Sequence, residues 1–258
     1  MMAKTILITG GPSGIGRAVT EAVLAEGWTA IAVDVSQATL DRCREELSAA
    51  GDRLVVRPLN VTDDAAVTAL VDALEAEGHA LDGVVNSAGI AKEIDAFNTS
   101  TDLFRTILDV NVVGGFAVAR AAARHMMARK AGAIVNIASV SGMVGSSGRV
   151  AYGASKGAVL TMTRVLAIEW AKYGIRVNTI SPGPIETPMV AAMHTPESRA
   201  AYNERVPMER YGTPAEIAAA AMFLLDGAKS GYITGQNIPV DGGMTIAGVL
   251  HGNKPGAH

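Results

Sequence analysis

Cysteine is nearly missing from this chain: Cys43 stands alone among 258 residues. An intrachain disulfide is thereby excluded, and a reducing compartment fits. Aromatic residues make up only 4% and charged ones 18%, against 49% hydrophobic, which is the balance of a globular chain and not a disordered one. Neither sign of charge dominates. Net charge is −3, and no basic run exceeds Arg129-Lys130, so nucleic acid and anionic membrane surfaces are not expected partners. Long apolar runs are lacking too. The longest, Ile217 to Leu225, is bounded by Glu216 and Asp226 and falls short of the ~20 residues a bilayer span needs. Ile6-Leu7-Ile8 is too short for the core of a signal peptide. A soluble, cytoplasmic protein with no membrane partner is the expectation. His79, His125, His194, His251 and His258 have no metal-ligand pairing, so no metal site is expected.

What is present is alternation. Short β-branched runs at Thr5–Thr9, Thr29–Asp34, Arg53–Leu59, Leu81–Asn86, Ala133–Ser139, Ile175–Ser181 and Asn237–Val240 read as strands, with helical patterns between them. Helices are predicted up to about Glu26, from Ser36 to Ala50, from Thr62 onward, and from near Pro214. Strands separated by helices imply parallel pairing through right-handed crossovers. The strands are apolar throughout, as expected when helices cover both faces of a sheet. The fold class is α/β: a single-domain, doubly wound sheet of seven mainly parallel strands, with residues 1–258 forming one unit. Pro182 to Gly212 is long and proline-rich, which suggests a substrate lid at about 187–212, and the polar tail after about 248 is expected to be mobile.

The first strand runs into Gly10-Gly11-Pro12-Ser13-Gly14-Ile15-Gly16, which opens a helix. Glycines allow a tight turn and close backbone approach to a pyrophosphate, and a helix N-terminus supplies free N–H groups and a positive dipole end. The placement makes this a Rossmann-type dinucleotide loop. The second strand ends at Asp34, whose carboxylate can accept hydrogen bonds from adenosine ribose hydroxyls and repels a 2′-phosphate. Neither Ser13 nor Val35 brings positive charge, so NAD is preferred to NADP.

Further along, Tyr152-Gly153-Ala154-Ser155-Lys156 follows Ser139. Positions i and i+4 share a helix face, so the Tyr152 hydroxyl and Lys156 ammonium can approach one site. A phenol titrates near ~10 in model peptides, and a neighbouring cation favours its ionised form. The set reads as a proton donor and acceptor beside a hydroxyl able to hold a carbonyl oxygen.

With these motifs assembled, the chain resembles the short-chain dehydrogenase/reductase family over nearly its full length. Thr9 to Gly16 is similar to its cofactor loop, and Asn86-Ser87-Ala88-Gly89 to its element after the fourth strand. Asn111, Ser139, Tyr152 and Lys156 match its four catalytic positions. Pro182-Gly183-Pro184-Ile185-Glu186-Thr187 resembles the loop over the nicotinamide, and Ile233 to Gln236 with Val240 to Gly243 its C-terminal strand. Asn60 and Ser87 depart mildly from the pattern, at positions that bear on cofactor affinity.

The resemblance implies a hydride-transferring oxidoreductase. Tyr152 is its general acid/base, Lys156 lowers the Tyr152 pKa and holds the nicotinamide ribose, Ser139 positions the substrate oxygen, and Asn111 holds a water leading from Lys156 to solvent. Gly10, Ser13, Gly14, Ile15 and Gly16 would take the pyrophosphate side of the cofactor, with Asp34, Asn60 and Val61 on the adenosine side. Asn86, Ala88, Gly89, Pro182, Gly183, Ile185 and Thr187 would complete the cofactor site with Tyr152 and Lys156. Ser139, Ser141, Tyr152, Met189, Met193 and His194 are candidate substrate contacts. The expected substrate is a secondary alcohol, a polyol or the matching ketone. A 3-oxoacyl thioester reductase is the alternative, and a non-catalytic NAD sensor a further one. Relatives commonly form tetramers, so a homotetramer is implied as well.

Overall fold

The computed structural model describes residues 3–248, so the tail after 248 lies outside the described residues. Seven strands form one sheet: β1 (Thr5–Thr9), β2 (Thr29–Asp34), β3 (Leu54–Pro58), β4 (Gly83–Asn86), β5 (Gly132–Ile137), β6 (Ile175–Pro182) and β7 (Asn237–Val240). Their spatial order is β3-β2-β1-β4-β5-β6-β7, and every neighbouring pair is parallel. The chain starts mid-sheet, winds to one edge, returns past β1 and winds to the other. This is the doubly wound Rossmann-type fold.

The helices are α1 (Gly14–Ala25), α2 (Gln37–Glu46), α3 (Asp64–Ala76), α4 (Thr101–Leu108), α5 (Gly115–Arg129), α6 (Val150–Trp170), α7 (Pro188–Met193), α8 (Pro196–Arg205), α9 (Pro214–Leu225) and the single turn α10 (Gly227–Ser230). Successive strand residues point to opposite faces, so each strand feeds two cores. Leu7, Val84 and Ile134 pack with α3 residues Val67 and Val71 and with the alanine-rich face of α5. Ile6, Ile8, Val85 and Ile180 pack on the other face with Val19 and Val23 of α1 and Ile217 and Leu224 of α9. The apolar runs of the sequence have this two-sided burial as their cause.

Two helix boundaries differ from expectation. The second helix ends at Glu46, and a 3₁₀ turn over Ser48–Arg53 follows, with Gly51 at φ 56° reversing the chain. The third begins at Asp64, not Thr62: Asn60 Oδ1 accepts from Thr62 N (3.1 Å), making a turn there, and the Asp63 carboxylate caps Ala66 N (3.0 Å).

Between α4 and α5 the helix does not break but widens into a π turn at Asp109–Gly114, which turns Asn111 inward. The whole run, Thr101–Arg129, is 29 residues long and contains an 18-residue stretch of mean hydropathy 1.3, long and apolar enough to cross a bilayer by composition. Its α5 part is instead a core helix, with Ala117, Val118, Ala122 and Met126 buried against the sheet and α3. A polar chain crosses the same core. Asn86 Nδ2 donates to Gly115 O (3.0 Å) and Asn136 Oδ1 (2.9 Å), and Asn136 Nδ2 donates to Thr163 Oγ1 (2.8 Å). These bonds tie the ends of β4 and β5 to α5 and α6.

Candidate active site

A cleft of about 400 Å³ opens at the carboxyl ends of the strands, where ligands of doubly wound sheets sit. The glycine loop forms one end. Gly10, at φ +64°, brings its main chain against Ala88, and a Cβ on Gly16 would lie 2.2 Å from Gly10 O. Only glycine permits that closure. Ser13 precedes α1 in extended conformation, and its side chain makes no capping bond, leaving the N–H groups of the first helical turn to face the cleft. A pyrophosphate fits these donors and this close backbone.

Asp34 and Asn60 stand at the same end. Asp34 Oδ1 accepts from Ser36 N (2.9 Å), so the carboxylate both shapes the turn into α2 and lines the cleft. Asn60 Oδ1 accepts from Thr62 N and Oγ1, which leaves its amide N–H groups as donors. Val61, Ala88, Gly89, Pro182, Gly183, Ile185 and Thr187 continue the wall. Thr187 caps α7 by accepting from Val190 N (3.2 Å).

At the other end Ser139, Tyr152 and Lys156 share one wall. Ser139 follows β5 with an extended backbone, and its Oγ accepts from Ser141 N (3.1 Å). Lys156 Nζ is buried, donates to Ile137 O (2.9 Å) and sits 5.6 Å from the centroid of the Tyr152 ring. Burial pushes the Lys156 ammonium down to about 8. Burial also pushes the Tyr152 phenol up, opposed by its hydrogen bond with Ser139 and by the Arg149 charge. Ser139 and Arg149 are thus the neighbours that favour the ionised phenol here.

Asn111 is buried and lies outside the cleft lining. Its Oδ1 accepts from Ile90 N (2.8 Å), while Nδ2 donates to Ile90 O (3.0 Å) and Ser155 Oγ (3.0 Å); Ser155 Oγ in turn donates to Tyr152 O (2.7 Å). This chain fastens the loop after β4, the π turn and the first turns of α6 to one another. Asn86, bonded into the core network, and Gly16, packed inside its own loop, also shape the cleft from behind. Of the substrate candidates Met189 lines the cleft beside Val190, whereas Ser141 and Met193 do not. His194 reaches the site indirectly: its ring stacks on Tyr202 at 4.7 Å and lies 3.1 Å from Arg149 Nη2.

Arg149 escaped the sequence reading. Its guanidinium carbon lies 5.7 Å from the Tyr152 ring centroid. The signal was available, since Arg149 and Tyr152 are three residues apart at the start of a helix and share a face.

With the geometry in place, comparison with known proteins gives a consistent answer. The family model described as Enoyl-(Acyl carrier protein) reductase matches residues 10–245. Galactitol 2-dehydrogenase (L-tagatose-forming) of Cereibacter sphaeroides is 46% identical over 243 residues, covering 93% of this chain and 94% of that one. A 3-oxoacyl-acyl-carrier-protein reductase of Thermotoga maritima is 37% identical over 244 residues, covering 94% and 98%. Among solved structures, a gluconate 5-dehydrogenase from Burkholderia cenocepacia in complex with NADP and tartrate superposes with TM-score 0.91 at 33% identity, covering 96% and 97%. The chain belongs to the short-chain dehydrogenase/reductase family, whose members use a nicotinamide cofactor and act on alcohols or ketones.

The Gly16–Gly10 approach yields a direct test. Gly16→Ala is expected to weaken NADH binding by about tenfold or more, as the ~1–3 kcal/mol cost of overpacking implies. Fluorescence titration with NADH measures it, with an unchanged circular dichroism spectrum as the control for folding.

Proposed function

We propose that this chain is an NAD-dependent dehydrogenase of secondary alcohols, with polyols as the leading substrate class, and the corresponding ketone reductase in reverse. The observation that carries the reading is the convergence of Ser139, Tyr152 and Lys156 on one wall of the cleft that the glycine loop opens. The bound nicotinamide supplies the acceptor for the hydride that leaves the carbinol carbon. Ser139 donates a hydrogen bond to the substrate oxygen and fixes it beside Tyr152. The Tyr152 hydroxyl oxygen takes the alcohol proton as the carbonyl forms, or returns one to the oxygen when a ketone is reduced. Lys156, anchored on Ile137 O, holds positive charge near that oxygen and offers its remaining N–H groups to the ribose. Asn111 positions these groups through Ile90 and Ser155. The segment 187–212 serves as a lid over the substrate end. Its ends are pinned by bonds from Glu186 N to Gly212 O and from Gly212 N to Pro184 O, both 2.9 Å.

Proton transfer fixes the pH dependence. Oxidation requires Tyr152 ionised, and burial raises its pKa, so kcat/KM for alcohol oxidation should climb as pH rises above neutrality. Ketone reduction requires the protonated phenol and should decline over the same range. Paired pH profiles in the two directions check this. Tyr152→Phe should lower turnover by at least the ~10²–10⁴-fold expected of a general acid/base while leaving NADH binding intact. Near-normal turnover in that variant would refute the mechanism.

The preference for NAD rests on the Asp34 carboxylate at the adenosine end of the cleft. Asp34→Ser is expected to raise the KM for NAD by about tenfold, from loss of charge-assisted hydrogen bonds, and to narrow the gap to NADP. Steady-state kinetics with both cofactors decides it.

A 3-oxoacyl thioester reductase is the second reading, supported by the 37% identity to the Thermotoga maritima reductase. Activity with an acetoacetyl thioester and NADPH exceeding that with polyols and NAD would favour it. For assembly we propose a homotetramer in which α6 is covered, since Val165 and Ile168 lie exposed at 47% and 80% on that helix. Sedimentation at working concentration should give four chains; a monomer contradicts the proposal.

A further inference from the structure

Arg149 is buried beside the proton-transfer residue in a way that the reaction itself does not require. Its side chain is 8% exposed and forms a salt bridge with Glu93. A guanidinium carries five N–H donors in a fixed fork. Here Nη2 alone is engaged, at 3.2 Å from Glu93 Oε2 and 3.1 Å from His194 Nε2. Among the described residues, Nε and Nη1 have no hydrogen-bond partner. Neither is among the sealed-off polar atoms without a partner, so these donors are open to solvent and to an acceptor on an incoming ligand.

The neighbours specify what that acceptor is. Guanidinium only donates, so His194 Nε2 accepts and its ring is neutral, with the Nδ1 proton facing the Tyr211 hydroxyl at 2.9 Å. Burial and the Arg149 charge push the His194 pKa down, which keeps that form. Glu93 is half exposed, and only Oε2 is bound. The cluster is therefore electroneutral and presents free donors next to a free carboxylate oxygen. Hydroxyl groups, each donor and acceptor at once, match such a surface, whereas a carboxylate would meet the Glu93 charge.

The cluster is also held rigidly. Gly148, at φ +71°, lacks the Cβ that would press on Glu93 Cγ at 3.1 Å, and Ile94 N donates to Gly148 O (3.0 Å). On the lid side, His194 stacks parallel to Tyr202, and the Tyr211 ring stands edge-on to both.

We propose that Arg149 and Glu93 form a polyol-reading pair: Arg149 donates to, and Glu93 accepts from, hydroxyls next to the carbinol oxygen held by Ser139 and Tyr152. This rests on the dehydrogenase reading above and names its specificity. A neutral, vicinally hydroxylated substrate is preferred over a simple secondary alcohol of equal length and over an aldonate anion.

The test compares kcat/KM for galactitol, gluconate and 2-hexanol with NAD in the wild type, Arg149→Met, Arg149→Lys and Glu93→Gln. Taking the galactitol to 2-hexanol ratio cancels any common effect on Tyr152. That ratio should fall by about tenfold or more in Arg149→Met, the loss expected when a charged donor is removed. Arg149→Lys, which keeps charge but loses the fork, should lose most of it as well, and carries the test should Arg149→Met fold poorly. Glu93→Gln should raise gluconate relative to galactitol. A ratio within twofold of wild type in both Arg149 variants overturns the proposal. So does a wild type that prefers gluconate to galactitol. Should the wild type oxidise neither alcohol, the dehydrogenase reading fails, and calorimetry of galactitol binding then judges the pair separately. Weakening by about tenfold in Arg149→Lys supports it, while equal affinity or no binding to wild type overturns it.

Discussion

A protonated lysine enters a protein interior only where something holds it, and here one carbonyl does. The bond from Lys156 Nζ to Ile137 O joins the helix α6 to the last residue of β5. Burial draws the ammonium down to about 8, so its charge sits close to its titration range. The register of the sheet brings the end of β5 to the same height as the ends of β1 and β4, so the anchored lysine and the glycine loop meet in one cleft. Parallel pairing from Ile6–Gly83 to Thr9–Asn86, and from Gly83–Ala133 to Asn86–Asn136, supplies that alignment. The polar chain of Asn86, Asn136 and Thr163 then locks strand ends and α6 together.

Much of this was legible because it depends on local rules. The Gly10–Gly16 loop is read from φ requirements and close approach. The four-residue step from Tyr152 to Lys156 is read from helix geometry. Strand positions followed from two-sided burial, and six of the seven began within a residue of expectation, with β4 starting two later. The start of α3 falls later than expected because Asn60 Oδ1 takes Thr62 N into a turn, and the capping role passes to Asp63, which accepts from Ala66 N. The π turn at Asn111 has no sequence marker, since widening a helix by one residue changes no composition. Arg149 was overlooked for another reason: beyond its neighbour Tyr152, its meaning lies in partners from two distant segments, at Glu93 and His194.

Function in this chain is divided by distance from the sheet. In the function proposed above, groups fixed to strand ends and to the first turns of α6 carry proton transfer and dinucleotide binding, where small displacements would be costly. Residues of α7 and of the loop after β4, among them Met189, Val190 and Ile90, line the cleft away from the strands. The relatives named above act on different molecules, and the division gives that diversity a physical basis.

The clasp between Pro184–Glu186 and Gly212 has a consequence for how such enzymes diversify. Main-chain bonds close the base of the excursion, while its interior is tied to its surroundings by the Arg210–Glu216 salt bridge to α9 and by Val206 packed on Val140 and Met244. Loop-closure entropy grows only by about 0.6 kcal/mol for each doubling of length, so a longer or shorter insert adds little strain. Length is therefore cheap to change, but three contacts are not: a replacement segment has to keep a partner for Glu216, a cover for Val140 and the His194 contact to Arg149 beside Tyr152.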